Sequence, residues 1–171
     1  MTLGKAYFML PSMKEASGKT LLKIRPATED DIPRILELYH ELTMITTKVE
    51  QGLSTSLDDY RKVFAQISSD PKHALLVAEY QGEVVGTVAL FIIPNLSHGA
   101  NPYALVENLV VNHKYRRKGI GKKLMEYTIA RAKQERCHRI ELCSSKRRKE
   151  AHRLYRSVGF KPEAYGFRIW F

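Results

Sequence analysis

From Leu21 onward the apolar positions switch between a period of two and a period near 3.6, and each switch marks an element. Leu21 to Arg25 reads as a short strand that stops at Pro26. Ile32, Ile35, Leu36, Tyr39 and Leu42 recur at helical spacing, behind a Thr28…Asp31 pair suited to capping the entry. Thr43 to Ser54 is polar and loop-like. Ser56 to Ser68 returns to helical spacing, with Leu57, Tyr60, Val63, Phe64 and Ile67 on one side, and Asp70-Pro71 ends it.

The middle of the chain is strand-rich. Ala74 to Tyr80 and Glu83 to Ile93 flank Gln81-Gly82, a connection short enough to demand an antiparallel hairpin. Pro94 to Pro102 reads as a loop and Tyr103 to Val111 as the next strand. The helix from Gly119 to about Gln134 carries Ile120, Leu124, Met125, Thr128, Ile129 and Ala132 on one half. Arg139 to Cys143 is a further strand, so strand, helix and strand form a parallel crossover. After the basic loop Ser144 to Lys149, a short helix from Glu150 to Val158 is stopped by Gly159. Phe160 starts another strand, and Tyr165 to Phe171 alternates as a terminal one. These elements make an α/β (α+β) chain with a single mixed, mostly antiparallel sheet of six to seven strands and about four helices.

A length of 171 residues suits one domain. Residues 1–19 lack a clear pattern and read as an extension, disordered or packed on a neighbour; 20–171 is the folded unit. The charge changes the picture. Twenty-eight Lys and Arg against 18 Asp and Glu leave +10, which calls for a polyanionic ligand, an acidic partner or nucleic acid. Six of those cations, Lys114, Arg116, Arg117, Lys118, Lys122 and Lys123, crowd one turn between strand and helix. That turn spells Arg116-x-x-Gly119-x-Gly121. Its glycines admit close backbone approach, and the following helix offers unpaired N–H groups and a positive dipole end, a ready pyrophosphate site.

Cys137 and Cys143 fit neither a disulfide framework nor a metal site, and read as free thiols of a reducing compartment, the cytoplasm. No apolar run reaches the roughly 18 residues of a membrane span. A P-loop is absent, and the dinucleotide fingerprint fails for want of glycines and a following acid. The run Lys146 to Lys149 suits a nucleic-acid or nuclear-import patch; against nucleic acid stands the lack of interleaved exposed aromatics, zinc spacing or a groove-reading helix.

Arg116-x-x-Gly119-x-Gly121 after an apolar strand, followed by Ala151-His152-Arg153-Leu154-Tyr155-x-x-x-Gly159-Phe160, resembles the GNAT superfamily of acetyl-CoA-dependent N-acetyltransferases over about residues 21–171. The resemblance implies a sheet with a splayed parallel pair at its centre and acetyl-CoA as cosubstrate, with no metal. It implies that the backbone of Arg116, Arg117, Lys118, Gly119, Ile120, Gly121 and Lys122 holds the CoA pyrophosphate, and that Leu109, Val110 and Val111 bind the pantetheine arm. One of those strand amides would also polarise the thioester carbonyl.

Transfer to a primary amine needs a base for the amine proton and an acid for the departing thiolate. By resemblance the acid is Tyr155, whose phenol keeps its proton at neutral pH. The base is Glu107, acting through water and sharing strand parity with Leu109 and Val111. Tyr103, His98, His113 and His152 are weaker candidates. The pattern departs at Arg148, where many members carry an asparagine, so Ser145, Arg148 or Lys149 stands in for the second half of the CoA site.

The loops 43–54 and 94–102 and the C-terminal strands are expected to form the acceptor pocket, with a small or neutral amine favoured over a polycation. The resemblance also implies a homodimer through the final strands, with no membrane and no nucleic acid as partner. A catalytically idle acyl-CoA-binding domain, or a nucleic-acid-associated regulatory one, is the other reading of the same fold.

Overall fold

The computed structural model describes residues 13–14, 20–43 and 55–169. Six strands form one sheet in the order β1-β2-β3-β4-β5-β6: β1 (Met13–Lys14), β2 (Thr20–Pro26), β3 (His73–Tyr80), β4 (Glu83–Ile93), β5 (Tyr103–Val111) and β6 (Ile140–Leu142). Neighbours pair antiparallel except β5 and β6, which are parallel and joined by a helical crossover. The helices are α1 (Ile32–Thr43), α2 (Leu57–Ser69), a single distorted turn α3 (Ser97–Ala100), α4 (Ile120–Gln134) and α5 (Lys149–Ser157).

Strands β2 to β6 sit where the alternation predicts, β1 falls in the stretch read as an unpatterned extension, and β4 shows why it anchors the sheet. Val84 to Leu90 are buried without a break because helices cover both faces. On one face α4 packs Ile120, Leu124 and Met125 against Leu76, Val85, Val88 and Val106. On the other, Ile35 and Leu38 of α1 meet Val77, Val84 and Val110. Full burial of a side chain such as Leu38 or Leu124 contributes about 1.5–3 kcal/mol. Thr87, buried in mid-strand, satisfies its hydroxyl on the Leu76 carbonyl at 2.8 Å.

The Thr28…Asp31 pair of the sequence is realised as an ionic corner. The Asp31 carboxylate accepts from the Thr28 N–H at 2.7 Å and its hydroxyl at 3.0 Å, and from both ends of the Arg25 guanidinium at 2.6 and 3.0 Å. Arg25 also reaches Glu79 on β3 at 2.8 Å. This ties β2, β3 and the entry to α1 together.

Three expectations need correction or restriction. The strands predicted at Phe160 and from Tyr165 are not formed in residues 160–169, which run without a ladder. Their apolar members face solvent: Tyr165, Phe167 and Ile169 are 86%, 93% and 81% exposed, and every residue from 161 to 169 is exposed with them. A strand needs a paired edge, and β6, three residues long, pairs only on its β5 side among the described residues. For the same reason the parallel pair closes the described sheet instead of standing at its centre. The expected extension 1–19 and the loop 43–54 lie mostly outside the described residues; within the former, Met13 and Lys14 pair with Leu22 and Thr20. Among the described residues no helix is long and apolar enough to cross a membrane.

Candidate active site

The site begins with one extra residue in β5. Thr87 faces Val110 and Ala89 faces Glu107, so the single residue Val88 spans both Asn108 and Leu109. Asn108 takes up the slack at φ 55°, a left-handed conformation that asparagine tolerates better than most residues. The bulge inverts the side-chain parity. Ala104 and Val106 face the α4 core before it, and Leu109 and Val111 face that core after it. Glu107 consequently does not share a face with Leu109 and Val111, as strict alternation had it; it turns toward the α1 side.

Beyond the bulge the parallel pair opens. β5 and β6 pair only at Ala104–Ile140, Leu105–Glu141 and Val106–Leu142. From Glu107 onward the β5 edge faces a gap bounded by the loop that follows β6. The Leu109 carbonyl accepts from Arg148 Nη2 at 3.3 Å and the Val111 carbonyl from Arg116 Nε at 3.2 Å, while the Asn112 N–H turns the other way, to Val85 of β4, at 2.8 Å. Backbone polar groups alternate sides along a strand. Leu109 and Val111 therefore direct theirs into the gap, and Val110 directs its own toward β4. The expected trio of pantetheine residues divides accordingly.

At the end of β5 the chain turns into α4. Glu41 of α1 fixes the entry by accepting from Asn112 Nδ2 at 2.7 Å and from the His113 N–H at 3.0 Å. Arg117 (φ 65°) and Gly119 (φ 78°) both adopt left-handed backbone, and a Cβ on Gly119 would meet nothing within 4 Å. The first bond of α4 runs from the Lys123 N–H to the Gly119 carbonyl at 3.0 Å. The amides of Ile120, Gly121 and Lys122 thus precede the helical ladder and point out of its positive end. Gly121 answers a different need: a Cβ there would meet Leu154 Cδ2 at 3.1 Å, so it lets α5 pack against the start of α4.

The cationic side chains of the turn are drawn aside from these amides. Arg116 lies 3.7 Å from Glu41, Lys118 sits 5.2 Å from the rings of both Tyr80 and Tyr115, and Lys122 lies 4.0 Å from Glu126. What remains at the helix end is bare backbone N–H inside a positive field, an arrangement suited to an anion.

A cavity of about 530 Å³ lies in the gap. Glu107, Asn108 and Leu109 of β5, Cys143 to Ser145, Arg147 and Arg148 of the following loop, Tyr155 of α5, Leu42 of α1 and Arg168 line it. Tyr155 is 7% exposed. Burial raises its phenol above the usual tyrosine value, the Arg148 charge and the nearby Ser144 hydroxyl oppose the rise, and the Glu107 charge adds to it. Ser144 Oγ is buried and has no hydrogen-bond partner among the described residues. The Glu107 carboxyl is also raised, by burial, against the opposing pull of Arg168.

Of the predicted residues, the cavity brings together Glu107, Leu109, Ser145, Arg148 and Tyr155, while residues 116–122 form the neighbouring turn. The weaker candidates fall elsewhere. His98 stacks on His138 at 4.1 Å, His113 sits 3.4 Å from Glu41, and neither they nor Tyr103 and His152 line the cavity. Nor do residues 94–102, expected in the acceptor pocket. Sequence reasoning did not single out Asn108, Glu41, Arg147 or Arg168. A bulge at Asn108 leaves only a weak trace, an asparagine within an otherwise apolar strand; Arg168 has none beyond its place in the C-terminal segment.

Comparison with known proteins agrees with this geometry. Residues 34–160 match the model of the acetyltransferase (GNAT) family. The chain is 31% identical over 144 residues to an aminoalkylphosphonate N-acetyltransferase of Salmonella typhimurium, an alignment covering 81% of this chain and 93% of that one. It is 25% identical over 148 residues to a glucosamine 6-phosphate N-acetyltransferase of Trypanosoma brucei brucei, covering 86% and 95% respectively. Among solved structures, a putative acetyltransferase of Agrobacterium tumefaciens superposes with a TM-score of 0.77 at 30% identity, over 87% of this chain and 99% of that one. A match across most of its length, on a sheet that opens beside a bare helix end, makes this chain a member of the GNAT family of N-acetyltransferases, acyltransferases that act on amines.

Proposed function

We propose that this enzyme, in a domain spanning residues 20–171, moves the acetyl group of acetyl-CoA to a small primary amine by direct attack in a ternary complex. The observation that carries the reading is the meeting of Glu107 and Tyr155 in one cavity at the opening of β5 and β6. The donor lies along that opening. Its diphosphate meets the amides of residues 117–122, and its peptide-like arm is bound by the outward backbone of Leu109 and Val111 as an added strand would be. Ser145 and Arg148 border the arm from the facing loop.

Glu107 as carboxylate takes the amine proton through a water, and the neutral nitrogen attacks the acetyl carbon. The thioester oxygen gains charge as the C–N bond forms, and an amide of the Leu109–Val111 edge stabilises it. The intermediate collapses with loss of the C–S bond, the thiolate leaves, and the Tyr155 phenol protonates it. Glu107 and Tyr155 regain their starting states by exchange with water. The products are the N-acetyl amine and free CoA thiol.

A half-buried carboxyl held above its usual range and a buried phenol kept protonated are what such a base and acid require. An idle CoA-binding or nucleic-acid-associated domain has no use for both in one cavity. The exposed row Tyr165, Phe167 and Ile169, with the edge of β6 unpaired among the described residues, supports pairing with a second copy, and the free thiols Cys137 and Cys143 support a cytoplasmic setting.

The test is release of CoA thiol with a panel of amines. Tyr155→Phe is expected to lower kcat by about a hundredfold or more while CoA affinity changes a few-fold at most. Equal turnover by the variant would remove Tyr155 from the reaction, and no turnover with any amine would remove the proposal.

A further inference from the structure

The lining of the cavity is unbalanced in charge, and the imbalance bears on the acceptor. Three guanidinium groups, Arg147, Arg148 and Arg168, face it against the single carboxylate of Glu107. Several arginines elsewhere on the described surface are matched, Arg25 with Asp31 and Glu79, Arg34 with Glu83 and Arg139 with Glu141, all within 3.1 Å, whereas Arg136 and Arg156 have no carboxylate within 4.0 Å among the described residues. Arg148 is engaged with the Leu109 carbonyl. Arg147 and Arg168 have no carboxylate within 4.0 Å among the described residues, although Arg168 is near enough to Glu107 to draw its carboxyl downward. A pair of unmatched guanidiniums beside a base is a poor place for a polycation and a good one for an oxyanion, which the guanidinium fork meets with two parallel hydrogen bonds.

The backbone explains how Arg168 reaches the site. Residues 160–169 pass the open side of β6, and Gly166 lies so close that a Cβ there would meet Cys143 Sγ at 3.2 Å. Every residue from 161 to 169 is exposed, and in an extended chain Arg168 shares the side of Gly166, which is the side of Cys143 and the cavity. The phosphates of the donor are not the obvious partner of Arg168. The turn that suits them lies beyond Val111, which the bulge leaves three ladder positions, roughly 10 Å, from Glu107 at the usual rise per residue. Arg168 lies nearer, lining the cavity with Glu107 and close enough to draw its carboxyl downward.

We infer that the acceptor is an amine bearing a phosphate, phosphonate or carboxylate group, and that Arg168, assisted by Arg147, binds this oxyanion while the nitrogen is presented to Glu107. The inference rests on the acetyl-transfer reading above and replaces the expectation of a neutral amine. The charge count agrees with it. An amino phosphate brings net negative charge into a lining with an excess of positive charge, whereas a diamine adds to the excess.

Steady-state kinetics with three probes tests it: O-phosphoethanolamine, ethanolamine and 1,4-diaminobutane. The wild type is expected to favour O-phosphoethanolamine over ethanolamine by tenfold or more in kcat/KM, with the diamine poorest. Arg168→Ala is expected to cut that preference about tenfold or more, chiefly through the KM of the phosphorylated amine, and to leave the KM of acetyl-CoA within twofold. Removing Arg168 also frees the Glu107 carboxyl to rise further, but this affects both amines alike and cancels in their ratio. Arg168→Lys keeps the charge without the fork and should fall between, and Arg147→Ala supplies a second readout if the Arg168 variants are poorly folded. Equal use of all three amines, or an unchanged ratio in both Arg168→Ala and Arg147→Ala, overturns the inference and leaves acetyl transfer standing. A raised KM for acetyl-CoA alone reassigns Arg168 to the donor and overturns it too. No acetylation of any amine brings down both readings together.

Discussion

Gly119→Val separates the backbone account of the anion site from a side-chain one. Gly119 caps α4 at φ 78° and ψ −1°, and a Cβ there would meet nothing within 4 Å. The substitution therefore introduces no collision; its cost is conformational. Holding an L-residue in the left-handed region costs roughly 1–2 kcal/mol, and a β-branched one sits at or above the upper end. The chain can accept that cost and keep the turn, or relax the turn and re-aim the amides of residues 117–122. In the first case the melting temperature falls by about 4–8 °C, taking 2 kcal/mol and 2–4 °C per kcal/mol for a chain of this size, and CoA binding survives. In the second the fold is largely spared and binding fails. Loss of two charge-assisted hydrogen bonds at about 1.5–3 kcal/mol each weakens CoA by about 10²- to 10⁴-fold.

The second outcome is expected, because the turn is at the surface while its neighbours Ile120 and Leu124 are locked in the core. Calorimetric titration of CoA into Gly119→Val, Gly119→Asn and Gly121→Ala, with thermal unfolding of each, resolves the cases. Asparagine tolerates left-handed backbone and should retain affinity within about tenfold. Gly121→Ala crowds Leu154 instead, so it should lower the melting temperature with a smaller effect on affinity. Wild-type affinity in Gly119→Val with its turn intact would show that the amides are not what holds the diphosphate.

The titration of two carboxyls gives opposite signs. Glu107, raised by burial, must be ionised to act as base, so the rising limb of kcat/KM should lie above the ordinary carboxylate range and flatten in Glu107→Gln; an unaltered profile would point to another base. For Asp31, burial pushes the carboxyl up, but the Arg25 fork and the two Thr28 donors outweigh it and hold it below its usual value. A depressed carboxylate stabilises the fold above its unfolded pKa and loses that contribution as pH falls through the folded one. Asp31→Asn should accordingly cost about 2–3 kcal/mol near pH 7, somewhat less than a fully buried pair because Arg25 keeps Glu79, and the gap to wild type should close below about pH 4. Denaturant unfolding across pH measures it; a gap that stays constant would refute the assignment.

How far the sequence reaches depends on whether a feature is written in local pattern or in pairing. β4 was legible because a strand covered on both faces has to be apolar throughout, and Val84 to Leu90 are. The basic turn was legible because left-handed backbone and close approach leave a glycine signature, and Gly119 and Gly121 supply one each for different reasons. The face of Glu107 was not legible. It depends on Asn108 opposing nothing across the ladder, a fact about β4 and β5 together, and one inserted residue reverses every parity argument beyond it. The C-terminal segment shows the complementary failure. Tyr165, Phe167 and Ile169 alternate in sequence as strand residues do, yet a strand is a property of two edges, and this segment pairs with no described strand. The same period has a use without a ladder: it sets Arg168 on the side of Gly166, which lies against Cys143, and Arg168 lines the cavity with Glu107. A pattern that errs on secondary structure can thus still fix which side chains reach a site, because the period of two belongs to the extended backbone and not to the hydrogen bonds between strands.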